Sequence, residues 1–102
     1  MSNLNAMKPS ALFALKRDLI RSLILQSGVT NPRLFGSVSR AQDTDESDLD
    51  ILVDPMPGTS LLDIAKLQVR LEKELGISVD ILTPLALPVS CRSYILENAI
   101  PV

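Results

Sequence analysis

The chain has 102 residues, ten basic and twelve acidic, for a net charge of −2, with no histidine, no tryptophan and one cysteine. That length suits one domain over 1–102, with 1–9 a polar lead-in, and the acidic balance argues against direct nucleic-acid binding. Without histidine, and with Cys91 alone, disulfide frameworks, the usual zinc sites and imidazole catalysis are excluded.

Any chemistry must therefore run on carboxylates, hydroxyls and backbone amides. No apolar run reaches membrane-spanning length, and "MSNLNAMKPS" lacks a signal-peptide core, so a cytoplasmic protein with no membrane partner is expected. The charges are segregated. Residues 1–40 hold six bases and one acid, whereas 41–54 hold six acids and no base.

In chain order, Leu12, Leu15, Leu19, Ile20, Leu23 and Ile24 recur at three- and four-residue spacing and predict an amphipathic helix over 10–26. Ser10 is its expected N-cap and Gly28 its stop. "RLFG" (33–36) reads as a short strand closed by glycine. "DTDESD" (43–48) reads as a solvated loop.

"LDILVD" (49–54) is the strongest strand signal, dense in Ile and Val and ended by Pro55 and Pro57. A helix over 61–75 follows, capped by Ser60 with Asp63 and stopped by Gly76, with Leu61, Ile64, Ala65, Leu71 and Leu75 as its buried stripe. "ISVDIL" (77–82) predicts another strand. Pro84 and Pro88 precede a last helix over 89–99 with Val89, Tyr94 and Ile95 as core contacts. The succession of helices and strands indicates a small α/β domain.

Strand alternation places Asp48 and Asp50 side by side, with α-carbons roughly 6.5–7 Å apart. Such carboxylates suit a hard cation, and without one they repel. Asp80 interrupts an apolar strand, where an unpartnered carboxylate is costly. If the two strands are neighbours, Asp80 joins the pair, and three carboxylates without histidine suggest Mg²⁺ or Mn²⁺. Gly36 lets backbone approach a ligand closely, Ser37 offers a hydroxyl and amide, and Arg40 can hold a phosphate oxygen. A phosphate cradle opposite metal-binding carboxylates is what nucleoside triphosphate chemistry requires.

Gly36-Ser37, ten residues, then Asp48-Leu49-Asp50, with the later Asp in "VDILTP", resembles the signature of minimal nucleotidyltransferase (MNT) domains of the DNA polymerase beta superfamily. In particular it looks like the antitoxin of HEPN/MNT toxin–antitoxin pairs. The resemblance implies a small α+β nucleotidyltransferase fold, with a short mixed sheet of three or more strands flanked by about four helices.

It also implies site roles. Gly36, Ser37 and Arg40 would hold the triphosphate of ATP. Asp48, Asp50 and Asp80 would be the catalytic carboxylates and the ligands of two Mg²⁺ ions, with Mn²⁺ a substitute. The implied reaction is transfer of AMP to a tyrosine of a HEPN-domain RNase toxin, silencing it. Many members read G-S-x-A-R-G, so Val38 and Ala41 depart from the pattern. The alternatives are a non-catalytic antitoxin that acts by steric contact, and transfer to a small molecule or RNA. The outer side of helix 10–26 and "ILENAIPV" are the candidate surfaces for docking the toxin.

Overall fold

The structure is a computed structural model describing residues 7–102, so most of the polar lead-in lies outside the described residues. Pro9 sits in the first turn of α1 (Pro9–Leu25), where its missing N–H costs nothing. Lys8, not Ser10, is the N-cap, and it makes no side-chain cap. The missing cap arrives from far along the chain: the Ser10 amide donates to Asp43 Oδ2 at 2.9 Å.

A kink at Lys16 (φ −115°, ψ 22°) breaks the helical phase of α1. Leu12 and Phe13 are buried before it, and Ile20, Leu23 and Ile24 after it. Leu15 and Leu19, expected inside, are instead 67% and 40% exposed.

β1 spans Val29–Phe35, four residues earlier than the sequence suggests. Pro32 argues against a strand there. A register shift between Thr30 and Arg33, with Asn31 at φ 52°, accommodates it. β1 runs directly into a short helix, α2 (Gly36–Ser39), where a turn is expected. β2 (Leu49–Pro55) matches expectation, and Leu49, Ile51, Leu52 and Val53 are all fully buried.

α3 (Leu61–Leu75) also matches, with a complete Ser60–Asp63 capping box and Gly76 as a left-handed C-cap. Its buried stripe is Ile64, Leu67, Leu71 and Leu75; Leu61 and Ala65 are exposed. Leu61 is the first residue past the cap, and the inward face begins one turn later.

β3 (Val79–Leu82) is followed by a 3-10 turn at Pro84–Ala86, α4 (Val89–Asn98) and a two-residue strand β4 (Ile100–Pro101). α4 buries none of its residues: Val89 and Tyr94, expected in the core, are 81% and 57% exposed, and Ile95 is half-buried. The apolar residues of α4 do not share one face, so the helix has no stripe to bury. The C-terminal segment is not simply a free docking surface, because β4 pairs with β1 and Val102 is buried.

The sheet order is β3-β2-β1-β4, with β2/β3 parallel and the other pairs antiparallel. The domain is thus a mixed four-stranded sheet with four α-helices among the described residues. α1 and α3 join the sheet in one apolar core that includes Ile20, Ile24, Ile51, Val53, Leu71 and Val79. Among the described residues no helix is long and apolar enough to cross a membrane.

Candidate active site

The register of three strands brings the predicted residues together. Phe35, at the end of β1, pairs with Asp50 in β2, and Asp50 pairs with Asp80 in parallel β3. Neighbouring strands lie about 4.8 Å apart, so the two aspartates stand beside each other on one face. Asp48 lies two residues upstream, exposed, just before β2 begins.

Gly36 lies directly against Asp50. Its φ of +74° is a left-handed conformation, and a Cβ there would overlap Asp50 Oδ2 and come within 3.1 Å of Asp50 Cγ. Only glycine meets both demands. α2 is then anchored by Val38, which is buried in the core, and by Ser39 Oγ donating to the Gly36 carbonyl at 2.8 Å. Arg40 follows at the C-cap of α2, close enough for its charge to act on Asp50.

Burial first, then the charges of Asp80 and Asp48, push the Asp50 carboxyl up to about 6, against the opposing pull of Arg40. A desolvated carboxyl crowded by two others is a donor set that a hard cation would relieve. Among the described residues no three such side chains already converge on one point. The backbone positions fit the group: Asp50 and Asp80 are in register, and exposed Asp48 is close enough for its charge to act on Asp50.

The chain supports this arrangement with groups that sequence reasoning missed. The amides of Val79 and Ile81 flank Asp80; they donate to Glu72 Oε2 (3.1 Å) and Gln68 Oε1 (3.0 Å) of α3. These side chains satisfy an edge strand and fix the backbone that carries Asp80. The spacing of Gln68 and Glu72 on one helical face was the available signal.

Asp43 corrects the reading of a solvated loop. It is 7% exposed, while the rest of 44–46 is exposed. Burial raises its pKa, but hydrogen bonds from the Ser10 amide and hydroxyl and from its own backbone, with the charge of Lys8, outweigh that and hold it below the ordinary range.

A mixed parallel–antiparallel sheet of this order, flanked by helices, is the minimal nucleotidyltransferase fold. Residues 17–102 match the family described as the nucleotidyltransferase domain, and the chain belongs to that family: it is a nucleotidyltransferase. A protein of Methanocaldococcus jannaschii named as a protein adenylyltransferase is 39% identical over 88 residues, 86% of this chain and 94% of the relative.

A solved minimal nucleotidyltransferase is 38% identical and superposes with a TM-score of 0.81, covering 91% of this chain and 95% of that one. The same fold recurs in a toxin–antitoxin crystal structure with AMP-PNP. There the identity is 20% and the TM-score 0.70, over 82% of this chain and 69% of that one.

Proposed function

We propose that this chain is an antitoxin protein adenylyltransferase. It transfers AMP from ATP to a tyrosine hydroxyl of a HEPN-domain RNase toxin and so neutralises it. The observation that carries the reading is the stacking of Asp50 against Gly36 with Asp80 in register beside it. That contact brings the Gly36–Ser37 segment against Asp50 and Asp80, which supports a triphosphate and metal site there. The relative named as a protein adenylyltransferase supports a protein acceptor, and the fold shared with a toxin–antitoxin structure supports the antitoxin role.

Gly36 and Ser37 hold the triphosphate through backbone and hydroxyl, and Arg40 binds an oxygen of it. Asp48, Asp50 and Asp80 would hold two Mg²⁺ ions, or Mn²⁺, which when bound supply charge neutralisation at the triphosphate and a lower pKa at the acceptor. Asp80, on the edge strand of the sheet, helps activate the acceptor hydroxyl. The acceptor oxygen attacks the α-phosphorus in line; its bond to phosphorus forms as the bond to pyrophosphate breaks. The partner presents its own tyrosine to the site.

The test is intact-mass analysis of the toxin after incubation with ATP, Mg²⁺ and either wild-type protein or Asp50→Asn. An adenylyl mass shift that disappears with Asp50→Asn is the expected result. Undiminished transfer by the variant sinks the carboxylate assignment. Neutralisation without any mass shift identifies a steric antitoxin instead.

A further inference from the structure

A cavity of about 120 Å³ opens beside the Gly-Ser turn. One wall is Gly36, Ser39 and Arg40; the other is Tyr94, Ile95 and Asn98 of α4. Liquid water occupies about 30 Å³ per molecule, so the space holds about four waters or one flat ring system. No carboxylate lines it, although acids crowd the neighbouring site.

The α4 wall is chemically distinct from the phosphate-binding turn opposite. Tyr94 is 57% exposed on a helix that buries nothing, so its ring is left in water beside the turn. Asn98 Nδ2 donates to the Tyr94 carbonyl at 2.8 Å. That bond sets the orientation of the amide, and Asn98 Oδ1 accepts no hydrogen bond among the described residues. An aromatic face, an aliphatic neighbour and an oriented amide oxygen are poor partners for phosphate. They are good partners for a flat, uncharged heterocycle with an exocyclic amino group.

We propose that Tyr94 and Asn98 form the nucleobase subsite of the bound nucleoside triphosphate, the Tyr94 ring stacking on the base and Asn98 Oδ1 accepting from its exocyclic amine. Arg40, on the opposite wall, marks the phosphate end. With Asn98 Oδ1 at the 6-position of a purine, the subsite favours adenine, which donates there, over guanine, which accepts there. This inference rests on the reading that the chain binds a nucleoside triphosphate at Gly36 and Ser37.

Tyr94 is the chain's only tyrosine and there is no tryptophan, so its ring can be followed without ambiguity. The experiment is a titration of the full chain by nuclear magnetic resonance with Mg²⁺ and either ATP or inorganic tripolyphosphate. Affinities are then measured for the wild type, Tyr94→Phe, Tyr94→Ala and Asn98→Ala. ATP should move the Tyr94 ring resonances upfield by ring-current stacking, and tripolyphosphate should bind without doing so.

Tyr94→Ala should weaken ATP by about 5- to 150-fold, the range for loss of one base–aromatic stack. It should leave tripolyphosphate affinity unchanged, and Tyr94→Phe should restore ATP. Asn98→Ala should narrow the preference for ATP over GTP. If ATP binds but the ring does not shift and Tyr94→Ala binds it normally, the nucleobase subsite is overturned while the enzyme reading stands. If neither ATP nor tripolyphosphate binds the wild type, both are overturned.

Discussion

β2, which carries Asp50, and α4, which lines the cavity beside the Gly-Ser turn, are packed in opposite ways. β2 contributes four fully buried residues, Leu49, Ile51, Leu52 and Val53, to the centre of the sheet, whereas α4 contributes no buried residue. The strand has close-packed neighbours on both sides of its hydrogen-bonding ladder; the helix is held at its start by Arg92 Nη2, which donates to the Leu87 carbonyl at 2.9 Å. A side chain on such a strand inherits the precision of the core, as Asp50 does. One on such a helix can move at small energetic cost, which suits a wall that meets a substrate.

The strongest way to break this contrast is to disturb the strand side at its closest contact. Gly36→Ala forces a Cβ into Asp50 and imposes a strained φ of +74°. A displacement of about 1 Å at a reacting group can cost about 100-fold, so AMP transfer should fall by at least about that factor while the far-ultraviolet circular dichroism stays native. Wild-type activity in Gly36→Ala would show that Asp50 does not need this position.

Stability sharpens the same contrast. Leu71→Ala empties a fully buried site of α3 and should cost about 2–5 kcal/mol in urea unfolding. Leu96→Ala, at a position of α4 that is 41% exposed, should stay within about 0.5 kcal/mol. Equal costs would mean that α4 is as firmly packed as the core.

How much of this was legible in the sequence follows from the range of the interactions involved. β2, α3 and the Ser60–Asp63 cap were readable because alternation, helical period and capping are local signals. Gly36, Asp50 and Asp80 were readable because each breaks the pattern of its own segment. Their approach to one another was not; it depends on the register Asp50↔Asp80 between strands thirty residues apart. β4 is two residues long and exists only by pairing with β1. The inward face of α1 was misread because the kink at Lys16 resets its phase, and no proline or glycine marks that kink.

Asp43 is a long-range cap of the same illegible kind. Its carboxylate, 33 positions from Ser10, accepts the amide that α1 leaves unpaired in its first turn. Removing it by Asp43→Ala should cost about 1–3 kcal/mol at neutral pH, the usual penalty for a stranded buried donor. Because the folded pKa lies below the ordinary value, the ionised carboxylate stabilises the fold fully above the unfolded pKa of about 3.9. That contribution fades as pH falls through the folded pKa, so wild type and variant should converge in urea midpoint below about pH 4. A gap that persists undiminished at lower pH would rule out the ionised cap.

The smallest effect tests the edge of the Gly-Ser turn, where strand side and helix side meet. Ala41 departs from the glycine of the family pattern, and it adopts φ 56°, one of two non-glycine positive values among the described residues. A Cβ in that conformation is strained by about 1–2 kcal/mol, partly offset by alanine's smaller loss of chain entropy. Ala41→Gly should therefore raise stability by up to about 1 kcal/mol, read as a higher urea midpoint at unchanged slope. The turn is held on both sides of that residue: the Ala41 amide donates to the Val38 carbonyl at 3.1 Å and the Gln42 amide to the Ser37 carbonyl at 2.9 Å. With the backbone already held, glycine should relieve strain without loosening Arg40, and transfer activity should be unchanged. A destabilised variant would mean that the strain is absent and that alanine's stiffness is what the turn uses.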